Sequence, residues 1–141
     1  MAVADDLGLV ADLCSAGARR TLAVLLALGP KPEKAADALL WEQQTTRLQG
    51  QLNSLTALNS KLTAASVIAG LQNFASELAT IGQVSKDAQA KIKQISEVSD
   101  LLTKLAKVLD LGLALLAASA APSPTTIAAV ATAGSAVAKG I

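Results

Sequence analysis

The sequence predicts an all-α protein, an elongated helical bundle or coiled-coil hairpin with a C-terminal hydrophobic helical hairpin. Three observations carry this expectation. Alanine and leucine supply 30 and 24 of the 141 residues, and both favour helix strongly. Strand formers are sparse, and the only aromatic residues are Trp41 and Phe74. Apolar residues recur at alternating steps of three and four, which is the helical period.

The first helix is expected from about Val3 to Leu28. Leu9, Leu13, Ala16, Arg20, Ala23 and Ala27 approximate one face, widened by Leu22, Leu25 and Leu26. Asp5 and Asp6 suit the positive end of its dipole. Gly29-Pro30-Lys31-Pro32 breaks the chain.

A second helical stretch begins near Pro32 and extends to about Ile81. Trp41, Leu48, Leu55 and Leu62 recur every seventh residue, a coiled-coil-like seam. One helix of that length would reach about 75 Å. A turn near Asn59-Ser60 or Gly70 would instead fold it into a hairpin. Between Gln43 and Ser85 the only charges are Arg47, Lys61 and Glu77. Water-facing helices usually carry charged outer faces, so this surface suits helix–helix contacts or simply a low-charge bundle.

The third stretch, about Lys86 to Ala121, carries the most regular heptad: Ile92, Ile95, Ser99, Leu102, Ala106, Leu109, Leu113, Leu116 and Ala120. From Leu111 to Ile141 the only charge is Lys139. Pro122–Thr126 breaks the helix, with Ser123 as N-cap and Pro124 at the first helical position. The divisions expected are therefore an apolar helix over 1–29, coiled-coil-like helices over 30–107 and a hydrophobic hairpin over 108–141.

Composition excludes several functions. Net charge is +1 with no basic patch, so no nucleic-acid partner is expected. Histidine is absent, and there is no phosphate-binding loop, dinucleotide fingerprint, metal-ligand cluster or triad. The expectation is a non-enzyme without cofactor or metal. Cys14 sits among apolar neighbours and reads as a small buried hydrophobe. The acidic start, Asp5-Asp6, does not resemble a signal peptide. The run after Arg19-Arg20 imitates one but ends at Gly29-Pro30 without a cleavage site. The expected location is membrane-associated, or delivered without a classical signal peptide.

Chain-wide apolar content of 52% against 16% charge is unusual for a free monomer, since ordinary domains carry about 25% charge. Each arm of the C-terminal hairpin, 108–121 and 125–138, spans about 21 Å at 1.5 Å per residue. That falls short of the ~30 Å hydrocarbon core. Such arms suit a re-entrant hairpin or burial among helices. Ala129/Ala133 and Gly134/Ala138 form small-xxx-small pairs that permit close helix approach.

Candidate membrane-insertion residues are Asp110, Leu111, Leu113, Leu115, Leu116, Ile127, Val130, Gly134 and Val137. Asp110 marks the point where the heptad becomes wholly apolar. It reads either as a surface partner of Lys107 or as a gate on insertion. Candidate oligomerisation residues are Leu48, Leu55, Leu62, Ile92, Ile95, Leu102 and Leu109.

The seams at Trp41–Leu62 and Ile92–Leu109, joined to the hairpin Leu111–Ala138, resemble the layout of α-helical pore-forming toxins of the haemolysin BL and cytolysin A kind. The resemblance is one of architecture. This chain is shorter and its hairpin is terminal, so no residue roles carry over. It implies a homo-oligomer that places its hairpin in a lipid bilayer. The alternative is a non-catalytic structural or interaction subunit whose hairpin is buried by partner helices.

Overall fold

The computed structural model describes residues 2–141. They form six α-helices: α1 (Val3–Ala27), α2 (Ala35–Leu62), α3 (Ala65–Gly70), α4 (Ala75–Ile92), α5 (Val98–Ala120) and α6 (Pro124–Gly140). Among the described residues there is no strand.

α1 buries Val3, Leu7, Val10, Cys14, Gly17, Thr21 and Val24, an unbroken series of steps of four and three. This face is rotated from the expected one. Leu13 and Ala16 are buried, but Ala23 and Ala27 are exposed and Leu9 and Arg20 half-buried. The difference is physical: α1 packs on both α2 and α4, and the direction between those two neighbours sets the buried face.

Gly29 turns the chain after α1 with φ of 68°, a conformation other residues adopt with difficulty. Trp41 Nε1 donates to the Gly29 carbonyl at 3.1 Å, and Lys31 pairs with Glu42. α2 therefore starts at Ala35, three residues beyond Pro32, and runs back along α1. Asn59 Nδ2 donates to the Ala11 carbonyl at 2.8 Å.

The stretch over 32–81 is not one helix. α2 ends at Leu62, and the chain reverses through α3 and a 3₁₀ turn, Gln72–Phe74. The break falls at Thr63-Ala64 rather than at Asn59-Ser60, because Asn59 is held on α1. A second break follows Gly70, where α3 meets the end of α5: a Cβ at Gly70 would strike the Ser119 carbonyl.

α4 runs alongside α1 in the same direction. Gln89 Nε2 donates to Leu9 O at 3.4 Å and Arg20 Nε to Ile95 O at 2.5 Å. The expected helix over 86–121 is split here. Residues 93–97 form a turn, with Ile92 and Ile95 both buried. A continuous helix would leave Ile95 on the heptad of α5; the turn lets both isoleucines reach the core.

α5 runs parallel to α2. Gln51 Nε2 donates to Leu102 O at 2.9 Å, and Leu58 packs on Gly112. It passes without interruption through the division expected at 107/108. α6 starts as the sequence suggests, with a capping box in which Ser123 Oγ accepts from Thr126 N at 3.1 Å. It packs on α5 and α4.

The core is leucine-rich, with Leu7, Leu13, Leu48, Leu55, Leu101, Leu105, Leu111 and Leu115 each under 2% exposed. Each such burial contributes roughly 1.5–3 kcal/mol before entropy is subtracted. The helices of 108–141 therefore share one core with the rest of the chain.

Candidate functional site

The unusual feature of this bundle is where its apolar surface remains in water. The exposed large hydrophobics are Leu22, Leu26, Leu39, Leu40 and Leu113. The first four lie where α1 and α2 extend past the other helices. At that height Arg20 already meets Ile95, in the turn between α4 and α5. Beyond it α2 has no buried residue before Leu48. Leu26 is 74% exposed, one turn below a link that carries Lys31, Glu33 and Lys34.

Leu113, 58% exposed, belongs to a second surface. α5 buries Leu101, Leu105, Val108, Gly112 and Leu115. About 100° further round the helix lies a second apolar series: Leu102, Ala106, Leu109, Leu113, Leu116 and Ala120. These side chains are exposed or half-buried. Leu102, Ala106 and Leu109 of this series, together with Ser99 and Thr103, form one wall of a groove of about 480 Å³ whose opposite wall is the α2 rim, with Arg47, Gly50, Gln51 and Ser54; Leu113, Leu116 and Ala120 continue the stripe beyond it. Ala57 and Lys61 continue that rim at helical spacing and are exposed. Gln51 Oε1 is buried there without a hydrogen-bond partner.

The seven candidate oligomerisation residues separate into two groups. Leu48, Leu55, Leu62, Ile92 and Ile95 lie in the chain's own core. Leu102 and Leu109 are half-buried and line the α2/α5 groove. The membrane-insertion candidates separate similarly. Leu111, Leu115, Val130 and Val137 are fully or almost fully buried, and Gly134 faces Ile81 of α4. Leu116 and Ile127 are half-buried, and Leu113 and Asp110 exposed.

The expected Lys107–Asp110 pair is not formed. Lys107 extends over Gly140, at the C-terminal end of α6, instead. Among the described residues, Asp110 and Lys61 take part in no ion pair.

Sequence reasoning missed the exposed end formed by Leu22, Leu26, Leu39 and Leu40. One signal was available. The start of α2, with Gln43, Gln44, Thr45 and Thr46 beside Trp41, lacks the leucines that a core contact would need.

The buried polar groups lie elsewhere. Asp6 is 3% exposed, and Ser85 is fully buried. Asp6 Oδ2 and Ser85 Oγ have no hydrogen-bond partner. Burial raises the Asp6 carboxyl above its ordinary value; the amino terminus opposes this and Asp5 adds to it. Burial likewise pushes the Cys14 thiol up to about 12, which suits an inert side chain. Among the described residues no group of His, Cys, Asp and Glu is arranged to hold a metal ion, and no helix is long and apolar enough to cross a membrane.

Comparison with known proteins gives no relative: no protein-family model, curated protein or solved structure matches the chain.

Proposed function

We propose that this chain is a non-catalytic helical interaction protein, and that the α2/α5 groove is its contact surface. The observation that carries the reading is the second apolar series on α5. Leu102, Ala106, Leu109 and Leu113 repeat at steps of four, three and four, yet they stand at the surface of the chain's own bundle. A stripe with that repeat is what a partner helix recognises, because its side chains interlock with a matching stripe. Gly50, Gln51 and Ser54 of the α2 rim are uncharged, which confines the charge desolvation that docking a helix in the groove would require to Arg47.

Insertion of the C-terminal helices into a bilayer is the reading this one replaces. It requires α5 and α6 to leave the bundle and expose Leu101, Leu105, Leu111 and Leu115, all fully buried. Docking requires no helix to move. The exposed α1–α2 end suits lipid no better. Lys31, Glu33 and Lys34 lie beyond its leucines and would have to enter first, at a cost of several kcal/mol.

Leu113→Asp tests the proposal, since Leu113 is 58% exposed and its loss leaves the core intact. The variant should keep the helical content and melting point of the parent. Light scattering should show the parent associating and the variant remaining monomeric. Parent and variant associating equally would remove the α5 stripe from consideration. Release of dye from liposomes by the parent protein would favour insertion instead.

A further inference from the structure

A second cleft lies between α1 and the turn over 93–97, and it shares no residue with the α2/α5 groove. Its volume is about 200 Å³, and Ala16, Arg19, Arg20, Ala23 and Lys93 line it. Three cations thus share one small space, and no carboxylate lines it. Elsewhere a cleft that holds a cation also holds an acid, Glu42 with Arg47 and Asp87 with Lys91. Among the described residues most charges lack an ionic partner. What marks this cleft is therefore the convergence of like charges, not the want of a pair.

Arg20 fixes the geometry. Its Nε donates to the Ile95 carbonyl at 2.5 Å, which ties α1 to the turn that carries Lys93. The terminal amino groups of the guanidinium take no part in that bond. The side chain is half-buried, whereas Arg19 and Lys93 are exposed. Ala16, 8% exposed, and the short side chain of Ala23 leave the space between the cations open. The carboxylates next along the chain are Asp12, one turn before Ala16, and Glu97, two residues after Ile95. Neither lines the cleft.

Size and charge select the ligand. Sites that enclose a drug-sized molecule measure roughly 300–1,000 Å³. This cleft is smaller and suits one charged group. Like charges held round one space repel, and an anion placed there offsets the repulsion and accepts their N–H groups. A carboxylate brings one charge and two coplanar oxygens. A phosphate monoester brings about two charges at neutral pH and three acceptor oxygens, which the arginine forks match. A nucleic acid would need a longer track of cations.

We propose that Arg19, Arg20 and Lys93 form a binding site for a phosphate monoester group. Arg20, anchored on Ile95, presents its terminal amino groups. Arg19 adds a second fork from the same helix, and Lys93 closes on the phosphate from the facing turn. Beyond Ala23 the surface of α1 is apolar, with Leu22 46% and Leu26 74% exposed. The group recognised is the same whether it is a free phosphate or the head of an amphiphile whose chain lies along α1.

The test is an NMR titration of the isotope-labelled chain at neutral pH and low salt. It follows the amides of residues 16–23 and 93 and the Arg20 Nε–H. The probes are inorganic phosphate, acetate, and octyl phosphate below its micelle concentration. Inorganic phosphate should shift these resonances saturably, and acetate should bind about threefold more weakly or worse. Arg19→Gln and Lys93→Gln should each weaken phosphate about threefold. Arg19→Lys, which keeps the charge without the fork, should fall between Arg19→Gln and the parent. Lys139→Gln removes the same charge from α6 and should bind like the parent. Melting points should be unchanged, since all three side chains are exposed.

The octyl arm identifies the source while upholding the site. Binding about tenfold tighter than phosphate, with the gain lost in Leu26→Ser, marks the head of an amphiphile. Equal binding marks a free phosphate. Acetate binding as tightly as phosphate would overturn the proposal, as would an Arg20 Nε–H that phosphate leaves unmoved. A loss in Lys139→Gln as large as in Arg19→Gln would also overturn it, because only net charge would then be sensed. Failure here leaves the α2/α5 groove standing, and loss of the groove leaves this site standing.

Discussion

Asp6 in the first turn of α1 lies directly over Gly82 of α4: a Cβ at position 82 would fall 2.6 Å from the Asp6 Oδ1. The glycine makes room for a carboxylate in the α1–α4 interface. The carboxylate is 3% exposed, and its Oδ2 has no partner.

That burial has a pH consequence. Desolvation raises the Asp6 carboxyl in the folded chain above its ordinary value of 3.8. Folding then takes up a proton between those two values. Stability is highest below pH 3.8 for this group, falls as pH rises through the raised value, and stays lower above it. Asp6→Asn keeps the shape without the charge. Its melting point should exceed that of the parent at pH 7, and the difference should shrink as pH is lowered to 4. Parallel melting curves from pH 4 to 7 would show that Asp6 carries no such cost.

Two glycines of α1 make opposite forecasts. A Cβ added at Gly8 would meet nothing within 4 Å, whereas at Gly17 it would lie 2.9 Å from Leu105 Cδ2 and 3.3 Å from Leu55 Cδ1. Gly8→Ala should stabilise by up to about 1 kcal/mol through helix propensity. Gly17→Ala gains the same propensity but overpacks the α1–α2–α5 junction, by roughly 1–3 kcal/mol. Urea unfolding should therefore rank Gly8→Ala above the parent and Gly17→Ala at or below it.

Ser123 holds the start of α6 through its capping box with Thr126. Ser123→Ala should cost about 0.5–2 kcal/mol. Amide exchange should quicken first at Thr126, because its N–H loses the Ser123 Oγ acceptor at the helix start. Uniform acceleration along the whole of α6 would mean that packing on α4 and α5, rather than the cap, holds that end.

Helix content, the Gly29 turn and the Ser123 cap were legible in the sequence, because each is set by a few adjacent residues. Long-range facts were not. The series Ile92, Ile95, Leu102 and Leu109 reads as one seam, yet residues 93–97 turn and send the two isoleucines into the core. α5 carries two apolar stripes side by side, one on Leu101, Leu105 and Val108 and one on Leu102, Ala106 and Leu109. Periodicity detects both and cannot say which the rest of the chain will cover. The same holds for Leu111, Leu115, Val130 and Val137. Their apolar character is plain in the sequence, but only the packing of α4, α5 and α6 shows that they meet protein from their own chain.

The most direct test of the proposed contact surface is disulfide cross-linking between copies at its exposed leucine. Leu113 is 58% exposed on the α5 stripe, and a disulfide between copies needs their Cα atoms within about 4.4–6.8 Å. Cys14 is buried, with its thiol pushed up to about 12, so it does not compete. Leu113→Cys should form a covalent dimer under mild oxidation at micromolar concentration. Leu26→Cys, which is more exposed at 74% but lies at the far α1–α2 end, should remain largely monomeric. Leu113→Cys cross-linking no faster than Leu26→Cys would contradict the reading of the α5 stripe as a contact surface.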